Sequence, residues 1–143
     1  MAGRPSETVR LTTPPAVELY AKTVRIVRTD TTAFDAFVLP KGAVIAGSYV
    51  MGQVASDAAT TATLDVGSNP GTTDEILQDF DVKGSTGVGY YAAGANAGTG
   101  LGTQLTADTL IKAKYTETGA ASTTGGPWLV KVEYYFPQPG NSW

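Results

Sequence analysis

Alternation of apolar and polar residues is the clearest pattern in the sequence, and it is strongest near the C-terminus. In WLVKVEYYF, residues 128–136, every second residue is apolar or aromatic. In TLIKAKYTET, residues 109–118, lysines alternate with apolar residues in the same way. A period of two is typical of a strand with one buried face. The residues predicted to face the core are Ile111, Ala113, Tyr115, Trp128, Val130, Val132, Tyr134 and Phe136.

Three further segments predict strands. Residues 17–28 and 60–66 alternate, and residues 42–55, GAVIAGSYVMGQVA, combine β-branched with small residues. Because Gly47 and Gly52 interrupt the last segment, we expect that strand to bend or to be approached closely by another backbone. The residues of the first two segments predicted to face inward are Val24, Ile26, Ala62, Leu64 and Val66.

One segment favours a helix, and one favours a long connection. In residues 72–80, TTDEILQDF, Thr72 and Glu75 have the spacing of a capping box, which predicts a short helical turn. Residues 83–105 contain seven glycines and predict a long loop or an irregular hairpin. A phosphate-binding loop is not expected there, since the following Lys-Ser/Thr and the flanking strand and helix are missing.

Several short strands separated by turn residues predict an all-β sandwich or barrel. Fibronectin-like and immunoglobulin-like sandwiches compete with a jelly roll, which the wide strand spacing and the glycine-rich connection favour. We therefore expect a jelly-roll-like two-sheet sandwich with one short helical turn. Residues 1–15, which contain Pro5, Pro14 and Pro15, are predicted to form an extended arm, and residues 16–143 a single β domain. The alternative for residues 1–12 is a disordered tail.

Composition excludes large classes of function. The 143 residues contain no cysteine and no histidine, which rules out thiolate chemistry, Cys/His zinc sites and histidine-based catalysis. No apolar run reaches the length of a membrane span, and the first residues lack the apolar region of a signal peptide. We expect a non-enzymatic protein that needs no cofactor and is made in the cytoplasm.

Charge is divided unevenly along the chain. Residues 1–28 carry five basic and two acidic residues, a balance of +3, whereas the remainder carries five basic and eleven acidic residues, a balance of −6. Residues 42–82 contain six acidic residues and no Lys or Arg. This stretch is interpreted either as a solvated acidic face or as a complement to a partner or to a neighbouring copy's basic arm. The acidic body argues against nucleic acid as a partner.

The segment LDVGSNPGTTDE, residues 64–75, raises the question of a metal site. The simpler interpretation is a strand end with Asp65 facing out, a turn at Gly67 and acidic residues in the first turn of a helix. The alternative is a calcium site formed by Asp65, Asp74 and Asp79, since hard cations prefer carboxylates. The spacing of known calcium loops is absent, and no metal is therefore predicted.

Five segments together resemble a known family. LPKGAVIAGSYVMGQVA, TTATLDVGS, DEILQDFDV, LTADTLIKAKYTETGA and GPWLVKVEYYF are similar in order to segments of the small jelly-roll proteins that cement or decorate the capsids of tailed bacteriophages. The likeness extends to the cement protein of a short-tailed phage with an HK97-like capsid. It covers roughly residues 37–136. The resemblance implies a virion protein on the outer capsid surface that binds the major capsid protein and stabilises the shell. It also implies dimers or trimers at symmetry axes.

The alternative function is a carbohydrate- or receptor-binding module of a phage fibre or tail. The aromatic residues considered for stacking on sugars are Tyr90, Tyr91, Trp128 and Trp143. An enzyme ranks last, because nothing in the sequence places two carboxylates in one cleft. The residues predicted to contact the capsid or another copy are Arg4, Arg10, Asp74, Glu75, Asp79, Tyr90 and Tyr91.

Overall fold

The structure, a computed structural model, describes residues 18–137. These residues form eight strands and two isolated 3-10 turns, at Ser85–Gly87 and Gly94–Asn96. The strands are β1 Tyr20–Ile26, β2 Phe34–Leu39, β3 Val44–Gly52, β4 Thr61–Gly67, β5 Leu77–Asp81, β6 Gly89–Ala92, β7 Thr109–Thr118 and β8 Trp128–Tyr135. Nowhere in the described part of the chain does a helix have the length and apolarity needed to cross a membrane.

The strands form two antiparallel four-stranded sheets. The first sheet has the order β1-β8-β3-β6 and the second the order β2-β7-β4-β5. The chain passes between the sheets at most connections, as in a jelly roll. The predicted all-β, jelly-roll-like sandwich is confirmed.

The core lies between the two sheets, where the predicted inward residues of β7 and β8 meet. Trp128 and Tyr115 are fully buried and stack across the core, with ring centroids 5.4 Å apart. Tyr134 is also buried, and only Phe136, which follows the end of β8, is partly exposed. The alternation therefore predicts the register of both strands correctly, because one residue of slip would turn this whole set outward.

The glycines of β3 have the predicted roles. The pairing of β3 with β8 shifts between Ile45 and Gly47, which is a β-bulge. At Gly52 the backbone of the turn at Gly87 approaches so closely that a Cβ atom would clash with the Gly87 carbonyl oxygen. The Trp128 indole N–H donates to that same oxygen over 3.1 Å. Gly52 thus leaves the space in which this turn docks on the first sheet.

The predicted helix at residues 72–80 is wrong. Residues 69–73 form a hydrogen-bonded turn, and strand β5 follows and pairs with β4. Glu75 does not cap a helix, since its carboxylate accepts a hydrogen bond from the Ser68 N–H over 2.7 Å. Pairing with β4 and burial of Leu77 and Phe80 outweigh the local helix signal. Farther along, the glycine-rich residues 83–105 contain the short edge strand β6 as well as loops.

Candidate functional site

Strand direction brings the start of β1 and the end of β8 to one end of the sandwich. Paired strands are antiparallel throughout, and successive strands alternate in direction. Strand β1 therefore begins where β8 ends, and Tyr20 pairs with Tyr134. The connections 40–43, 68–76 and 93–108 lie at this same end. We call it the terminal end. Arg4 and Arg10, the predicted arm and Trp143 lie outside the described residues.

An acidic corner lies at the terminal end, formed by Asp65, Asp74, Glu75 and Asp79. Asp74 is only 5% exposed, and its carboxylate accepts a hydrogen bond from the Gly71 N–H over 2.9 Å. Burial, followed by repulsion from the neighbouring carboxylates, raises the pKa of Asp74 to about 6. Loop residues 98–100 donate three backbone hydrogen bonds to the carbonyls of residues 74–76. Through its bond with the Gly71 N–H, the Asp74 carboxylate holds the turn at residues 71–74 within the acidic corner.

Asp65 departs from expectation, because it is buried rather than exposed. It lies on the outward face of β4 as predicted, but its carboxylate accepts a hydrogen bond from the Asp79 N–H over 2.8 Å. Asp79 has a positive φ of 49° at the bulge where β5 leaves its register with β4. Burial raises the pKa of Asp65. Alternation predicted the face correctly, but it carried no information on the bulged strand that covers this carboxylate.

The corner does not support the calcium alternative. Among residues 18–137, no three Asp, Glu, His or Cys side chains are arranged to hold a metal ion. Of the three acids predicted to form contacts, Asp79 is exposed, Glu75 is half-buried and Asp74 is buried. The structure thus places these three residues together, with mainly Asp79 open to solvent.

Tyr90 and Tyr91 lie on the edge strand β6 but point to opposite sides of it. Tyr90 lies on the outer face of the first sheet, where its ring stacks on Tyr49 at 5.7 Å between centroids. The Lys131 ammonium lies 5.1 Å from the Tyr49 ring centroid and 5.9 Å from that of Tyr90. The Tyr91 hydroxyl instead donates to the Ser85 carbonyl. The two tyrosines therefore do not form one site.

The sugar-binding interpretation loses support from these positions. Trp128 is fully buried, which contradicts its proposed use as an exposed platform. One face of the Tyr90 ring is occupied by Tyr49, so it offers less surface for stacking on a sugar. The alternation in residues 128–136 already indicated an inward Trp128.

Sequence reasoning missed the cluster to which Tyr90 belongs. Met51 is 41% exposed and Tyr90 52% exposed, and Met51 lies between Tyr90 of the edge strand β6 and Leu129 of the central strand β8. Lys131 forms an ion pair with Glu133 at 3.6 Å, so the two charged residues of the central strand β8 on this face are paired with each other. The available signal was the outward half of the alternation in β8, which places Leu129 among charged residues.

The outer face of the second sheet has a different character. It is dominated by threonines and charged residues, including an ion pair between Lys112 and Asp35 at 3.4 Å. The hydroxyls of Thr61 and Thr118 lie 2.6 Å apart across β4 and β7. The molecule therefore presents one face rich in aromatic and apolar side chains and one that is hydrophilic over much of its area.

Comparison with known proteins identifies the fold but no family. No protein-family model matches the chain, and no curated protein matches it. Two phage capsid structures contain chains of this fold. A chain of the acidic stable capsid structure of Helicobacter pylori bacteriophage KHP30 matches with a TM-score of 0.61 at 14% identity, over 84% of this chain and 89% of that chain. A chain of the cyanophage Pam1 capsid asymmetric unit matches with a TM-score of 0.55 at 24% identity, over 96% of this chain and 100% of that chain.

These matches establish a likeness of fold. Both cover most of each partner, so the matched capsid chains are about as long as this chain. The resemblance to phage capsid-associated jelly rolls, which the sequence predicted, is confirmed at this level.

Proposed function

We propose that this chain is a virion structural protein that binds the outer surface of an icosahedral phage capsid and stabilises the shell. The observation that carries the proposal is the match with a complete chain of the cyanophage Pam1 capsid asymmetric unit. A β sandwich of this size can therefore be a whole capsid component. The proposed partners are the major capsid protein and other copies of this chain, as dimers or trimers at symmetry axes.

The surface of the domain supports a role in protein contact. The outer face of the first sheet exposes Tyr90 and Met51, and its central charges are neutralised within the face. Aromatic residues and methionine are enriched in protein interfaces, where unpaired charges are few. This face has the composition expected of a surface that docks on another protein.

The N-terminal segment supplies the second part of the proposal. Residues 1–15 act as an extended arm, and residues 16–143 as the domain that carries it. Arg4 and Arg10 pair with carboxylates of the capsid protein or with acidic residues 57–81 of a neighbouring copy. Because each copy contributes only a few contacts, an arm that reaches an adjacent protein strengthens binding through multivalency.

The test is co-sedimentation of the purified chain with capsids that lack it, followed by a low-resolution reconstruction. We expect the chain to pellet with the particles and to add density outside the shell. Recovery of the chain only from the soluble fraction would refute the proposal.

The same assay tests the arm. Deletion of residues 1–12 should leave the melting temperature unchanged, while capsid binding weakens and becomes less sensitive to salt. A double substitution, Arg4→Gln with Arg10→Gln, serves as the matched variant of full length and should reproduce the loss of salt sensitivity. Undiminished binding by both variants would assign the whole interface to the β domain.

A further inference from the structure

Strand β1 is an edge strand with a regular, open edge. All seven of its residues pair with β8 without a register shift, and β8 is its only strand partner within residues 18–137. Its outward-facing residues Ala21, Thr23 and Arg25 are exposed. The backbone groups on the side away from β8 can therefore accept another strand.

The other three sheet edges carry features that hinder pairing. Strand β2 contains a bulge between Asp35 and Phe37, and β6 is only four residues long. Strand β5 contains a bulge at Gln78 and Asp79, and the Asn96 side-chain amide donates to the carbonyls of these two residues. Bulges, short strands and covered backbone are the usual means by which natural sheets block their edges. Within residues 18–137, β1 shows none of these three features, and its one charged residue on the inward side is Lys22.

Apolar side chains beside β1 are incompletely covered. Phe34 and Phe37 of β2, the edge strand of the facing sheet, are only partly buried although they pack against the core. Tyr20, at the start of β1, is 41% exposed. A strand added to β1 would place its inward side chains over this gap between the two sheets.

The N-terminal segment contains a sequence suited to that position. Residues 8–11 read TVRL, and residues 23–26 at the end of β1 read TVRI. In β1, Val24 and Ile26 are buried whereas Arg25 is exposed. By the same alternation, a strand formed by residues 8–13 would direct Val9 and Leu11 inward and Arg10 outward.

The connection between this segment and β1 disfavours pairing within one chain. Residues 14–19, PPAVEL, contain none of the Gly, Asn or Asp residues that tight hairpin turns require. Pro15 directly after Pro14 favours an extended backbone and is unsuited to the second central position of a type I turn. The segment is therefore better placed to reach another molecule than to fold back on its own β1.

We propose that residues 8–13 of one copy pair as an additional strand along the β1 edge of a second copy. The occupant is thus the chain's own N-terminal segment, exchanged between copies, with Val9 and Leu11 covering Phe34 and Phe37. The proposal concerns contact between copies. Strand exchange can therefore be refuted while capsid binding holds, and capsid binding can be refuted while strand exchange holds.

Cysteine cross-linking tests the pairing, because the 143 residues contain no cysteine. A chain carrying Arg10→Cys is mixed, without capsids, with a mass-tagged chain carrying Thr23→Cys, and the mixture is oxidised with diamide. We expect disulfide-linked dimers of one tagged and one untagged chain. The control partner carries Ala92→Cys, which is exposed on the same face of the same sheet but at the opposite edge, on β6. Cross-linking to position 23 should exceed the control about tenfold.

A second variant tests the strand itself. Adding Leu11→Pro to the Arg10→Cys chain removes a backbone donor from the pairing segment and should reduce cross-linking to the control level. Circular dichroism melting curves verify that every variant is folded. Equal cross-linking at positions 23 and 92 would overturn the proposal. It would equally be overturned if a chain with both Arg10→Cys and Thr23→Cys formed only an intrachain disulfide while the mixed chains gave no dimers.

Discussion

Asp74 makes the stability of the domain depend on pH in an unusual direction. Its folded-state pKa is raised from 3.8 to about 6, chiefly by burial. Between about pH 4 and pH 6 the folded state therefore binds more protons than the unfolded state, so stability falls as the pH rises through this window. Each pKa unit corresponds to about 1.4 kcal/mol, which gives a loss of up to about 3 kcal/mol at neutral pH.

Substitution of Asp74 by Asn removes the charge but keeps an oxygen that can accept from the Gly71 N–H. We expect Asp74→Asn to be more stable than the natural chain at pH 7, by up to about 3 kcal/mol, and to differ little from it at pH 4. Urea unfolding at half-unit intervals from pH 4 to pH 7.5 measures both quantities. Part of the pH dependence of stability that remains in Asp74→Asn comes from Asp65, whose pKa is also raised by burial.

Asp57 provides a control, because its pKa is shifted in the opposite direction from that of Asp74. Its carboxylate accepts hydrogen bonds from the N–H groups of Thr123 and Thr124 and from the Thr123 hydroxyl, and these donors hold the pKa of Asp57 below its usual range. Its contribution to stability is lost only as the pH falls below about 4. Asp57→Asn should therefore lower stability throughout the pH range tested without changing the slope. A destabilised Asp74→Asn at pH 7 with an unchanged slope would refute the reasoning.

The remaining predictions concern the first sheet. Val132 is fully buried whereas Lys131 lies on the outer face, so Val132→Asp should abolish folding and Lys131→Asp should be tolerated; equal melting temperatures would show that the register is wrong. Gly52→Ala forces a methyl group against the backbone of the docked turn and should cost about 1–3 kcal/mol by thermal melting. In Gly47→Ala the added methyl group meets only the end of a tyrosine side chain, so this substitution should cost less stability than Gly52→Ala. A larger loss for Gly47→Ala would contradict the docking of the Gly87 turn on Gly52.

Local alternation predicted the strands that carry no bulge of their own, namely β1, β4, β7 and β8. Strand β8 is central and pairs on both sides, so its period of two matches its burial. Strand β2 was not predicted, because the bulge between Asp35 and Phe37 shifts its pairing in the middle of a short segment. A bulge is defined by pairing with the neighbouring strand, and the local sequence pattern carries no information about that pairing.

The surface features depend on contacts that are distant in sequence. Tyr49 meets Tyr90 because β3 pairs with β6, and 40 residues separate the two rings along the chain. Burial of Asp65 likewise depends on the backbone of Asp79. Composition predicted an acidic region and candidate aromatic residues, but only the pairing of strands determines which of these groups are covered.

The continuous pairing of β1 with β8 also determines how the domain carries a mechanical load. A pull on the N-terminal segment along the axis of β1 acts in shear on all seven residue pairs at once, whereas a pull away from the sheet would peel them apart one by one. Since Val24 and Ile26 anchor β1 in the core, shear must also displace buried side chains. A domain tethered through this strand would therefore resist tension along the strand axis far better than tension that peels β1 away from β8.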